Sequence, residues 1–167
     1  MSSGRYFDID DILAVQQRVP CIVRQNVVGL AYDHNMEPSE NKAGSKLSLP
    51  FWIADSLDAE EFVEMDIPLP FSKQSQRKLL ASANVNLSII CPYFYKLGSR
   101  FAELSPNLAD FLMHVYIQRL VLIYNQAQYG SSSDFLSTLD YTEKKYSSAS
   151  FQAYLEWQHI NTSITSK

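Results

Sequence analysis

Cysteine is nearly missing from this chain of 167 residues, which holds only Cys21 and Cys91, seventy positions apart. So distant a pair gives no disulfide framework and no thiolate cluster, and reads as two buried free thiols in a reducing compartment. Histidine is almost as scarce: His34 falls in an expected loop, His114 on an expected helix and His159 near the C-terminus. None stands at metal-ligand spacing from another His or Cys, so neither zinc nor any other metal or cofactor is expected. Glycine occurs five times, and no G-x-G-x-x-G, G-x-S-x-G or H-E-x-x-H is present. The stretch "NKAGSK" has the second half of a phosphate-binding loop without its first glycine. No apolar run approaches the roughly 18–20 residues that span a bilayer. The start, "MSSGRYFDID", lacks the apolar centre of a signal peptide. An intracellular chain with no membrane partner is expected.

Apolar and aromatic residues are plentiful. A hydrophobic share of 46% with 19% charged residues describes a globular chain that buries a real core. Ten Tyr and nine Phe are many for this length, and aromatics serve cores and partner interfaces alike. Charge changes sign along the chain. Residues 1–70 carry five Lys/Arg and twelve Asp/Glu, a net −7; residues 71–167 carry nine and six, a net +3; together they give the −4 of the whole. Such a switch marks two units with different surroundings. The expected architecture is α+β: a small β-rich domain with short helices over residues 1–70, then a larger α-helical bundle domain over residues 71–167.

Along the first part, "FDIDDILAVQQRVP" predicts a short helix stopped by Pro20, with Ile9, Ile12, Leu13 and Gln16 on one face and Asp8, Asp10 and Asp11 crowding the first turn. Carboxylates there are favoured by the helix dipole, which accounts for them without a metal. "CIVRQNVVGL" reads as a strand or hairpin and "YDHNMEPSENKAG" as a long polar loop. In "SKLSLP", Leu47 and Leu49 share one strand face. "FWIADSLDAEEF" predicts a short helix opening at Pro50, and "VEMDIPLP" a strand closed by Pro68 and Pro70. The adjacent Phe51 and Trp52 admit three readings: a stacking platform, a docking hot spot or ordinary core. Inward-facing Leu47 and Leu49 before them, with no ligand-binding motif beside them, favour core, with Trp52 as its anchor.

After Pro70 the pattern is helical. Helices are expected over "SKQSQRKLLASA", over "PYFYKLGSRFAEL" with Pro92 in its first turn, from Ser105 to Gly130, and over "SSDFLSTLDYTEKKYS" and "SASFQAYLEWQHIN". The helix from Ser105 to Gly130 is apolar nearly all round. Asp110, His114, Gln118 and Asn125 form one polar stripe, and Arg119 and Gln126 alone interrupt the apolar side. A helix at the edge of a monomeric bundle needs one apolar face. This one is either the centre of its own bundle or covered in part by another chain, and an exposed face of that size favours the partner chain.

Sites for chemistry are thin. Asp10–Asp11 and Glu60–Glu61 are adjacent pairs, whose side chains diverge on a helix and make poor acid–base partners. Cys91 beside Pro92 at a helix start is a weak candidate for a reactive thiol. Lys73, Arg77, Lys78, Lys96 and Arg100 form the one basic group. It reads as a solvated face or a contact for an acidic partner; the alternative is a small free-standing adaptor that binds nucleic acid through it.

Several stretches in order, "DIDDILAVQQRVP", "GSKLSLPFWIADSL", "DIPLP", "PYFYKLGSRF" and "SFQAYLEWQ", resemble the third Psf subunit family of the eukaryotic GINS complex. The combination of GSKL-x-LP-x-W with a later FY-x-x-GS carries most of the specificity, and the likeness covers nearly the whole chain apart from Asp33–Ala43. It implies a non-catalytic nuclear scaffold in a heterotetramer with Sld-five and the first and second Psf subunits. It also implies a place in the replicative helicase for DNA replication, where that complex joins Cdc-forty-five and the MCM hexamer. No extended basic tail follows the last expected helix before Lys167. Under this reading Leu112, Tyr116, Leu120 and Ile123 are expected to face a partner, and Tyr93, Phe94, Tyr95 and Trp157 are candidate aromatic anchors. Direct contact with DNA stays open.

Overall fold

In the computed structural model, residues 8–32, 38–103, 105–129 and 132–165 are described. The chain forms two compact units, Met1–Ser72 and Lys73–Lys167.

The first unit opens with α1 (Ile9–Val15), capped by Asp8, whose carboxylate accepts the Asp10 amide at 3.1 Å. The helix ends before Gln16, so Pro20 does not stop it; Pro20 lies inside β1 (Arg18–Val23). Its apolar face is also not where the pattern placed it. Ala14 is buried, while Ile9, Ile12 and Leu13 are exposed. β2 (Val27–Tyr32) pairs antiparallel with β3 (Pro38–Asn41). The second of these strands lies in the segment expected to be loop. "PSEN" has no β-branched or aromatic residue, so nothing local announces a strand; β2 supplies the pairing. Asp33 to Glu37, with His34, lie outside the described residues. The turn Lys42–Ser45 closes with a 3.0 Å backbone bond, with Gly44 at φ 87° in its third position. That is the type II geometry, where a left-handed residue is required.

β4 (Lys46–Pro50) follows, then α2 (Phe51–Ala59) and β5 (Val63–Met65). β1 is the centre of an antiparallel sheet in the order β4–β1–β5. Val19 sits opposite Leu49, Cys21 opposite Leu47 and Met65, and Val23 opposite Val63. Alternate residues therefore make one apolar face, with Val19, Cys21, Val23, Leu49 and Val63 buried and Leu47 half-buried. Phe51 and Ala54 of α2 add to this core. Trp52 does not: half its surface is exposed, which corrects its reading as the core anchor. Successive helical residues diverge by about 100°, so only one of two adjacent aromatics can face the sheet, and here it is Phe51. α2 ends earlier than "AEEF" suggests. Phe62 N–H bonds to Leu57 O at 2.9 Å and Glu61 N–H to Asp58 O at 3.0 Å, with Glu61 at φ 61°. This is a Schellman stop with glutamate in the position glycine usually fills. One 3₁₀ turn, Leu69–Phe71, closes the unit.

The second unit is helical: α3 (Lys73–Ala81), α4 (Leu87–Ile90), α5 (Phe94–Ala102), α6 (Pro106–Gln128), α7 (Ser133–Thr138) and α8 (Tyr141–Thr165). The short α4 has no counterpart in the sequence reading; Asn86 caps it by accepting the Ile89 amide at 3.1 Å. Pro92 precedes α5 instead of lying in its first turn. The last two expected helices divide elsewhere, at Leu139–Asp140, and Tyr141–Thr165 runs as one helix. Asp140 and Glu143 fix that start. Each carboxylate accepts the other's backbone N–H, at 2.7 and 3.2 Å, which is a capping box written with aspartate. Phe94, Leu97 and Phe101 of α5 and Phe111, Val115 and Ile123 of α6 are buried, and these two helices pack on each other and on α8. Among the described residues no helix is long and apolar enough to cross a membrane.

Candidate protein-interaction surface

α6 decides what this unit can meet. Leu108, Phe111, Leu112, Val115, Arg119, Ile123 and Ala127 are its buried positions, the i, i+3, i+4, i+7 series of an inward face. Leu112 and Ile123, expected to face a partner, thus belong to the core of the unit itself, and Tyr116 and Leu120 are half-buried. Phe94 is fully buried too, meeting Tyr95 and Phe111 edge-on with centroids at 5.3 and 6.5 Å. Tyr93 lies against Tyr141 at 5.4 Å, and Tyr95 against Tyr116 at 5.3 Å. The apolar residues that α6 turns to solvent are others. Met113, Ile117, Val121 and Tyr124 are each more than half exposed and run as one stripe down the helix. Periodicity could not separate them from the core set, because the helix is apolar on both faces.

The stripe leads into an open groove of about 620 Å³ beside α8, lined by Tyr124, Gln128, Tyr146, Ser150, Tyr154 and Trp157 among others. Trp157 is 58% exposed and stacks on Tyr154 at 6.2 Å. The Tyr154 hydroxyl accepts from Gln158 Nε2 at 2.8 Å. Four aromatics with polar tips on one rim suit a surface that is part dry and part wet.

Arg119, an interruption of the apolar side in the sequence pattern, belongs to a buried charge cluster. Arg119 is buried and bonds Glu143 through two donors, Nε at 2.6 Å and Nη2 at 2.9 Å. Its Nη1 donates to the carbonyls of Ala83 and Val85, at 2.6 and 2.8 Å, in the turn between α3 and α4. Tyr95 Oη donates to Glu143 Oε1 at 3.0 Å. The signals were an arginine alone on an apolar face and a D-x-x-E at a helix start. Burial raises the Asp140 carboxyl to about 7; the Glu143 charge adds to this, while the amides of Glu143 and Tyr95 and the Arg119 charge oppose it. Burial and the Glu143 carboxylate also push the Tyr95 phenol upward. Every nitrogen of the Arg119 guanidinium and the Tyr95 hydroxyl bond within the protein, so the cluster is structural.

The other candidates are dispersed. Burial raises the Cys91 thiol and takes Cys21 up to about 11, which removes the reading of Cys91 as an activated nucleophile. His114 pairs with Gln118 one turn away at 3.2 Å on the surface, and the side chain of His159 lies outside the described residues. Among the described residues no three His, Cys, Asp or Glu side chains gather as a metal site. Lys73, Arg77 and Lys78 are exposed on α3 and Arg100 on α5, with Lys96 half-buried.

Residues 70–159 match the GINS complex protein helical bundle domain, and residues 7–59 match the PSF3 N-terminal domain. The two-unit fold is therefore that of a GINS subunit. "DNA replication complex GINS protein psf3" of Schizosaccharomyces pombe is 31% identical over 165 residues, covering 92% of this chain and 97% of the relative. The "DNA replication complex GINS protein PSF3" of Phaeosphaeria nodorum is 30% identical over 154 residues, covering 84% and 86%. For the "Probable DNA replication complex GINS protein PSF3" of Dictyostelium discoideum the identity is 29% over 161 residues, and the chain spans 61% of that relative. The chain belongs to the PSF3 family of GINS subunits.

Proposed function

We propose that the chain is a non-catalytic structural subunit of a GINS heterotetramer with Sld-five and the first and second Psf subunits, acting in DNA replication in the nucleus. There it helps to brace the tetramer that joins Cdc-forty-five and the MCM hexamer in the replicative helicase. The observation that carries the reading is the stripe Met113–Ile117–Val121–Tyr124, apolar and exposed on a helix whose opposite face already fills its own core. An obligate partner surface has this character, resembling a core cut in half. Trp157 and Tyr154 at the groove are its aromatic anchors. Tyr116 and Leu120, half-buried beside the stripe, contribute at its margin.

Co-expression with the three sister subunits tests this. The tagged chain is expected to bring them down as a stable complex, and Ile117→Glu with Val121→Glu to abolish that capture. A chain that elutes alone as a well-behaved monomer, and that binds DNA with a steep dependence on salt, would establish instead the adaptor reading through Lys73, Arg77, Lys78, Lys96 and Arg100.

A further inference from the structure

The amphipathicity of α1 is inverted. Ile9, Ile12 and Leu13 share one face at helical spacing and are 69%, 44% and 43% exposed, whereas Ala14 is buried. Asp10 and Asp11 are half-buried instead of carrying the solvent face. A helix belonging only to its own domain turns its aliphatic side chains inward. The surrounding topology adds to this surface. The Phe51 amide donates to Gln17 O at 3.0 Å, so Trp52 opens α2 beside the end of α1. The Asp66 amide donates to Pro20 O at 2.9 Å, which carries Ile67, 53% exposed, along β1 toward the same end.

Charge selects the occupant. Asp8, Asp10 and Asp11 lie on and before α1, Asp55 one turn beyond Trp52, and Asp66 beside Ile67. Among the described residues of the first unit, the cations other than Arg18 stand at the far end of the sheet, where Ile22 pairs with Lys46 and Arg24 meets Glu64 at 3.3 Å, or in the turn at Lys42. Arg18 alone shares this end, donating to Ser48 O at 3.2 Å. We propose that Ile9, Ile12, Leu13, Trp52 and Ile67 form a docking surface for a protein segment whose apolar side chains are flanked by lysine or arginine. Aliphatic and indole groups take the apolar side chains, and the carboxylates speed encounter and fix register. Nucleic acid is repelled by the same carboxylates. The surface uses nothing of α6 or the groove, so it stands or falls apart from assembly through that face.

Fluorescence anisotropy with the full chain tests it, using a labelled helical peptide with leucine at i, i+3, i+4 and i+7 and lysine elsewhere. This peptide is expected to bind about tenfold or more tightly than its counterpart with glutamate for lysine, and to weaken with salt. Ile12→Ser with Trp52→Ser should cost about tenfold or more in affinity, while Met113→Ser on α6 leaves it unchanged. Circular dichroism melts show whether the variants stay folded. Should they not, Asp10→Asn with Asp55→Asn replaces them and is expected to flatten the salt dependence. Equal binding of both peptides, binding that survives the serine variants, or no binding overturns the proposal. So does sedimentation showing a dimer of this chain that Trp52→Ser dissolves, which would make the occupant a second copy.

Discussion

Burial moves the Asp140 carboxyl from its ordinary 3.8 to about 7, so folding takes up a proton at this site between those values. A folded value above the unfolded one means that the contribution is complete below about 4 and is lost as pH rises through 7. Stability of the helical unit should therefore gain from this group as pH falls from 7 to 5. Asp140→Asn keeps an acceptor for the Glu143 amide and removes the titration. Thermal melts at pH 5, 6 and 7 are expected to show a flatter profile for that variant, with no loss at pH 7. A steeper profile would place the proton elsewhere. Adjacent residues also differ sharply. Phe51 is buried and Trp52 half exposed, so Phe51→Ala should cost about 3–5 kcal/mol and Trp52→Ala less than about half of that. Urea midpoints of the two variants measure the contrast. Which aromatic faces inward was not legible locally, because it depends on the register that sets Pro50 opposite Arg18.

Helices α6 and α8 are joined by the pair Arg119–Glu143, and through Arg119 Nη1 to the turn at Ala83 and Val85. Arg119→Met leaves Glu143 buried without its partner and is expected to cost about 3–5 kcal/mol. Arg119→Met with Glu143→Leu should recover much of this, because two apolar groups need no compensation. Denaturant unfolding of both variants gives the coupling; additive losses would mean that the two charges do not act as a unit. Legibility at this scale follows the locality of the cause. β1 and β4 show in sequence through strict alternation, and Leu47 and Leu49 do face the same way as Val19 and Cys21. β3 does not show, since only its neighbour makes it a strand. The break before α8 is written in "DYTE", whereas the expected helices divide at Ser147–Ser148. Direction was hardest on α1 and α6, where the burial of Ala14 and Ile123 is decided by distant contacts.

For the molecule as a whole, composition speaks more clearly than pattern. The sign of charge changes near Pro70, and the two compact units meet in sequence at Ser72 and Lys73. Each unit also carries one cysteine, free and buried: Cys21 in the first and Cys91 in the second. That distribution amounts to a pair of internal clocks. A thiol reagent added during unfolding marks each unit at the moment it opens, and peptide mapping tells the two marks apart without any engineered label.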